Sequence, residues 1–322
     1  MSEDRLKLTT YFGERERAGG GFLGDALTAI YARHRLEASL VMRGVGGFGA
    51  RQHLRTDRLL SLSEDLPLVS VAVDGRARIE AALGEVDALR FGGLVTVEGV
   101  SGLLEPDAAA KLTVYLGRGE RAYEAVVDRL HRRGIAGATV LLGVDGTVRG
   151  ERQRARFFGR NAAVPLMVIA VGDSGRIAEV LPELSDMLVT VERVRICKRD
   201  GHALAEPEVV EPGRAVWQKL MVYASEQTLV DGQPLHQRLI RELRAAGAAG
   251  ATSLRGIWGY HGDHRPHGDS FWQLRRRVPV VTVIVDTPER IRRWFAIVDR
   301  LTAGTGLVTS EVVRLVHNHP GA

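Results

Sequence analysis

Three kinds of residue in this 322-residue chain could do chemistry. The first are glycines. "RGVGGFG" (Arg43–Gly49) and "RGIWGYHG" (Arg255–Gly262) each follow an apolar stretch, and "FGGLV" (91–95) and "GTGLV" (304–308) each lead into a valine-rich one. Glycines let backbone N–H groups converge on an anion, so the chemistry is phosphate recognition. Arg43 and Arg255 would supply charge, and Gly44, Gly47, Gly49, Gly92, Gly93, Gly256, Gly259, Gly304 and Gly306 would supply backbone donors. The competing reading is tight turns and bulges, and no Walker lysine accompanies these glycines. The second kind is the histidine set of "HGDHRPHGD". His261, His264 and His267, with Asp263 and Asp269, suit zinc, copper or nickel. Gly262, Pro266 and Gly268 break any helix there, so the spacing fixes no geometry and a solvated loop competes. The third is the single cysteine, Cys197, where Lys198 and Arg199 would lower the pKa of a reactive thiol, but one thiol without an identifiable partner reads more simply as a strand residue. No serine elbow, HExxH or helical carboxylate pair is present, and no enzyme is expected.

The elements that would position these residues are written three times. "KLTTY" (7–11), "KLTVY" (111–115) and "KLMVY" (219–223) open three segments. "MRGVGG" (42–47), "LLGVDG" (141–146) and "LRGIWG" (254–259) follow, then "LPLVSVAVD" (66–74), "VPLMVIAVG" (164–172) and "VPVVTVIVD" (278–286). "LVTVE" at 94–98 and 188–192 and "LVTSE" at 307–311 close them. Four anchors in one order mark a triplicated domain, not a solenoid. Helical spacing falls at 22–35, 75–89, 121–133, 174–187, 234–246 and 288–302. The fold class is therefore α+β, with three β-α-β-β-α-β, ferredoxin-like repeats at 1–103, 110–197 and 215–317.

Strand alternation puts Leu8, Leu112 and Leu220 on one sheet face, with Val95 and Val97, against the helices. Lys7 and Tyr11, with Lys111, Tyr115, Lys219 and Tyr223, take the other face. Packing those three faces together about a pseudo-threefold axis would bury them. Antiparallel pairing of first and last strands brings Lys7 to Glu98, Lys111 to Glu192 and Lys219 to Glu311, as cross-strand ion pairs or as ligand contacts.

The totals narrow the function classes. The net charge is +5, but only four of 44 basic residues are lysine and no basic stripe with interleaved aromatics appears, so no nucleic-acid partner is expected. No apolar run approaches the ~20 residues of a membrane span, no export signal is visible, and one cysteine fits a reducing interior. A cytoplasmic monomer is expected.

"KLTTYFGE", "RGVGGFGARQHLRT", "SEDLPLVSVAVD", "GGLVTVEGV" and "AGATVLLG" resemble the DUF190 family of PII-like proteins, in three copies. The resemblance implies ferredoxin-like subunits arranged as a trimer, here an intrachain PII-like pseudo-trimer. It also implies a small ligand, an adenine nucleotide above all, in clefts between neighbouring units. The long loops at 44–66, 143–164 and 256–278 would then signal to a protein partner, a membrane transporter or channel. Repeat 2 departs from the pattern: "LGVDGTVRG" lacks the Gly-Phe-Gly, and "SDMLVTVE" lacks the glycines before its last strand. Its cleft is expected to be degraded. The alternatives are a metal binder similar to the CutA type, and a scaffold without ligand.

Overall fold

The computed structural model describes residues 4–50, 52–56, 65–100, 104, 108–117, 122–148, 151–154, 164–211, 213, 215–261, 266–268 and 278–319. Three units of one plan follow each other. Unit 1 runs through strand Arg5–Gly13, helix Leu23–Arg33, strands Ala38–Phe48 and Pro67–Gly75, helix Arg76–Ala88 and strand Gly93–Gly99. Unit 2 has strand Ala109–Gly117, helix Ala122–Arg132, strands Gly137–Leu142 and Pro165–Asp173, helix Ser174–Val180 and strand Leu188–Arg199. Unit 3 has strand Val216–Ser225, helix Leu235–Ala245, strands Ala251–Arg255 and Pro279–Asp286, helix Pro288–Leu301 and strand Leu307–His319. Five helices match the spacing closely. The helix expected over 174–187 ends at Val180 and tightens into a 3-10 turn, Leu181–Leu184, because Pro182 has no N–H to continue the α pattern. Asp173 caps its start, accepting from the amides of Gly175 and Arg176.

In every unit the first strand lies antiparallel between the third and the fourth, and the third also pairs with the second. The register sets Lys7 opposite Glu98, Lys111 opposite Glu192 and Lys219 opposite Glu311. Alternation then sorts the side chains as the sequence implies. Leu8, Val95 and Val97 join Leu27, Ile79 and Val86 in a core beneath the helices of unit 1. Leu112 and Val191 do the same in unit 2, and Leu220 and Val308 in unit 3. The opposite faces of all three sheets meet in one further core, which holds Tyr115, Tyr223, Met42, Met167, Met221 and Leu254 with Tyr11 packed against it.

The sheets join edge to edge into a closed β-barrel in which strands dominate. In unit 1, Gly44–Phe48 pairs with Ala251–Leu254 of unit 3, and Ala38–Val41 pairs with Asp145–Val148 of unit 2. In turn, Trp258–His261 of unit 3 pairs with Gly137–Val140 of unit 2. Long last strands reinforce two joints. Arg195–Arg199 of unit 2 runs along Leu307–Ser310 of unit 3, and Arg314–His319 of unit 3 runs along Gly93–Val97 of unit 1. Among the described residues, no helix is long and apolar enough to cross a membrane.

Candidate functional site

Where the three inner faces meet, the lysines and glutamates form a closed ring of six charges. Lys7 contacts Glu98 of its own unit at 3.1 Å and Glu192 of unit 2 at 2.9 Å. Lys111 contacts Glu192 at 2.7 Å and Glu311 of unit 3 at 2.5 Å. Lys219 completes the cycle, with Glu311 at 3.1 Å and Glu98 at 2.7 Å. All six are buried. Burial opposes the charged form of Glu98, but Lys219, Lys7 and Lys111 outweigh it and hold the carboxyl far below its usual range. Burial likewise opposes the charge on Lys7, and Glu192, Glu98 and Glu311 together raise its pKa well above the ordinary value. The three carboxylates lie within 4.8 Å of one another, a spacing that would suit a cation. Three lysine side chains face them within ion-pair distance, so the ring joins the units.

Four of the predicted phosphate-site glycines serve the seams between units. A Cβ on Gly47 would stand 2.6 Å from the carbonyl oxygen of Ala251 in unit 3. Gly259 meets the carbonyl of Ala138 in unit 2 in the same way, and Gly146 meets that of Ser39 in unit 1, both closer still. Gly44 and Gly256 are hemmed in by Pro67 and Pro279 and by the carbonyls of Ser253 and Val140 across the seam. The chain bulges at this point, since the register shifts between Ser253 and Leu254 opposite Gly46 and Gly44. These glycines admit a neighbouring strand, and Gly259 also lines a cleft.

Each seam also opens into a cleft. The one between units 1 and 3 gathers Gly49, Gly92 and Gly93 with His53, Arg55, Phe48 and Trp217, around a space of about 70 Å³. Arg55 holds Asp65 at 2.8 Å, and the Gly92 amide donates to Glu16 at 2.8 Å. The cleft between units 2 and 3 contains Gly259 and Gly306 and measures about 330 Å³. The third, between units 1 and 2, measures about 720 Å³, and its charged lining residues, Glu37, Glu151 and Asp186, are all acidic. Gly304 lines none of them. Arg43 and Arg255 do not line them either. Arg43 bonds Glu14 and Arg255 bonds Glu226, each at 2.8 Å, within their own units.

The histidines are not brought together by any described contact. His261 meets Asp200 of unit 2 at 2.5 Å, while His267 lies in a short strand opposite Gly259, and His264, Asp263 and Asp269 fall outside the described residues. The glutamate triad is the single cluster of three potential ligands among the described residues.

The chain matches the DUF190 family (Uncharacterized ACR) at residues 5–102, 109–196 and 217–315. The chain belongs to the DUF190 family. Among solved structures it is similar to an aspartate kinase from Synechocystis, with 10% identity and a TM-score of 0.26 over 98% of this chain. It spans 45% of that kinase. It is also similar to an unknown protein from Galdieria sulphuraria, with 14% identity and a TM-score of 0.20 over 59% of this chain and 98% of that one. TM-scores of this size carry nothing from those proteins to this DUF190 chain.

Cys197 corrects one expectation for this DUF190 member. Burial pushes the thiol up to about 12, against a smaller lowering by Arg195, and Lys198 is turned away to Asp299 at 2.5 Å. The thiol is fully buried in the core of unit 3 although it belongs to unit 2, which is what the long last strand achieves. Arg55 and His53 were missed as site residues. Their signal lay in "RQHLRT" (51–56), which puts basic residues within six positions of Gly49.

Proposed function

We propose that this chain is a single-chain PII-like pseudo-trimer of ferredoxin-like units, a regulator without catalytic activity. It binds a small anionic ligand carrying an aromatic ring, an adenine nucleotide by class, in the cleft between units 1 and 3. The strand order within each unit and the six-charge ring support the pseudo-trimer. One observation carries the ligand reading: of the three seam clefts, this is the one whose described lining adds an arginine to glycine-rich backbone and aromatic walls. Arg55 and His53 suit phosphate, and Phe48 and Trp217 suit a base.

The space of about 70 Å³ is below the roughly 300–1,000 Å³ of small-molecule sites. Ligand entry therefore requires the segment carrying His53 and Arg55 to lift, exchanging the Arg55–Asp65 pair for a phosphate contact. That displacement is the signal offered to a protein partner, a membrane transporter or channel by class. The acidic side chains among the described lining of the third cleft accord with the loss of glycines in unit 2 and favour the first cleft as the anion site.

The test is calorimetric titration with ATP, ADP and AMP, with a melting curve beside each. A nucleotide at 100 times its Kd would stabilise the fold by about 2.7 kcal/mol. One equivalent should bind, and Arg55→Ala should weaken binding at least tenfold. No heat and no shift in Tm with any of the three would end this reading.

A further inference from the structure

We propose that the cleft between units 2 and 3 is a second ligand site of different chemistry, one that takes an uncharged small molecule built on an apolar ring system. It occupies the place in unit 3 that the nucleotide cleft occupies in unit 1. Tyr223 stands where Tyr11 stands, Tyr260 where Phe48 stands and Gly306 where Gly93 stands. The electrostatics are not repeated. No arginine or lysine is among its described lining residues, and its one histidine, His261, is engaged by Asp200. An anion buried here would lack a partner among the described residues, which is costly.

The space suits a neutral ligand. At about 330 Å³ it lies inside the size range of small-molecule sites and is already open, whereas the nucleotide cleft is closed down. Ile169 and Val171 of unit 2 form one wall, and Tyr223, Tyr260 and Pro279 of unit 3 form the other. Both tyrosine hydroxyls are occupied, Tyr260 donating to the Ile135 carbonyl at 2.8 Å and Tyr223 to the Met221 sulfur at 3.4 Å. Those residues therefore offer ring surface and have no hydroxyl hydrogen left to donate. Polar side chains also line it, with Ser225 and Gln227 exposed at the mouth and Thr139 buried in the seam. The turn at Asp200 ties one end, because its amide donates to the Gly306 carbonyl at 2.8 Å while its carboxylate holds His261. A ligand bound here would bridge units 2 and 3.

N-phenyl-1-naphthylamine, an uncharged fluorophore, is a direct probe for the full chain. One equivalent should bind with enhanced, blue-shifted emission. Ser225 is exposed at the mouth, and Ser225→Trp should weaken binding at least tenfold. Thr305→Trp, on the segment that leads into the neighbouring strand of unit 3, should do the same and serves if the first variant fails to fold. Arg55→Ala should leave the fluorophore bound, and ATP should not displace it. Absence of binding, binding untouched by both tryptophans, or displacement by ATP would overturn the proposal. Nucleotide binding retained in Ser225→Trp separates its failure from that of the first site.

Discussion

Replacing Lys111 by methionine tests whether the six-charge ring is held by balance of charge. Lys111 is the most buried of the three lysines, at 2% exposure against 6% for Lys7 and 3% for Lys219. Methionine keeps most of the length and removes the ammonium. Glu192 would keep only Lys7 at 2.9 Å, and Glu311 only Lys219 at 3.1 Å. Three buried carboxylates would then share two cations. Removing one side of a buried pair costs about 3–5 kcal/mol, because the other charge stays buried without a partner. A folded domain holds about 5–15 kcal/mol in all, so the loss is readable in a urea denaturation curve. Adding Glu311→Gln leaves Lys7 and Lys219 facing Glu98 and Glu192, again neutral, and should recover roughly half of the loss through coupling within one network. Arg76→Ala, which removes an exposed pair with Glu80, should cost no more than about 1 kcal/mol. A Lys111→Met cost no larger than that of Arg76→Ala would refute the reasoning. So would a further loss on adding Glu311→Gln.

Three further outcomes follow from the same geometry. Glu98 and Glu192 have depressed pKa values, burial being outweighed by Lys219 and Lys7 for the first and by Lys111 and Lys7 for the second. Their stabilisation is thus complete above the ordinary glutamate pKa of about 4.3 and is lost as pH falls toward the folded values; the urea midpoint should fall below about pH 4, less steeply in Glu98→Gln. Gly47→Ala forces a methyl against the Ala251 carbonyl and should cost about 1–3 kcal/mol or more by thermal unfolding, while Gly49→Ala, with open space around it, should change stability by under about 0.5 kcal/mol. Cys197, buried and with its thiol raised to about 12, should resist a disulfide reagent at pH 8 in the native protein and react fully in denaturant.

What could be read from the residues depended on how locally each feature is determined. Strand alternation and register are local, so the pairing of Lys7 with Glu98 and the sorting of Leu8 from Tyr11 followed from the sequence alone. The second contact of each lysine did not, because Lys7 reaches Glu192 only through the way two sheets meet across the centre. Register within one unit says nothing of that. The crowding of Gly44, Gly47, Gly256 and Gly259 by neighbouring strands was not legible for a related reason: the same backbone freedom serves an anion or a neighbouring strand, and the sequence of one unit does not show the seam. A clue was nevertheless present. Unit 2 keeps Gly143 and Gly146 while it lacks glycine at Met187, where units 1 and 3 have Gly93 and Gly306. It also keeps Lys111, Tyr115 and Glu192. The retained glycine positions make room for a neighbouring strand, and the lost one lines a cleft in units 1 and 3.

That division also explains what one chain can do that three identical chains cannot. A symmetric trimer repeats every substitution at three seams at once. Here each seam has two walls of separate sequence, so one can carry Arg55 and His53, another His261 and Ser225, and the third Glu37 and Asp186. The joints at 104–109 and 198–214 keep the units at about millimolar effective concentration or above, so no seam has to drive assembly alone. Freed from that task, the clefts can differ in charge and volume while the ring and the seam glycines stay the same in all three units.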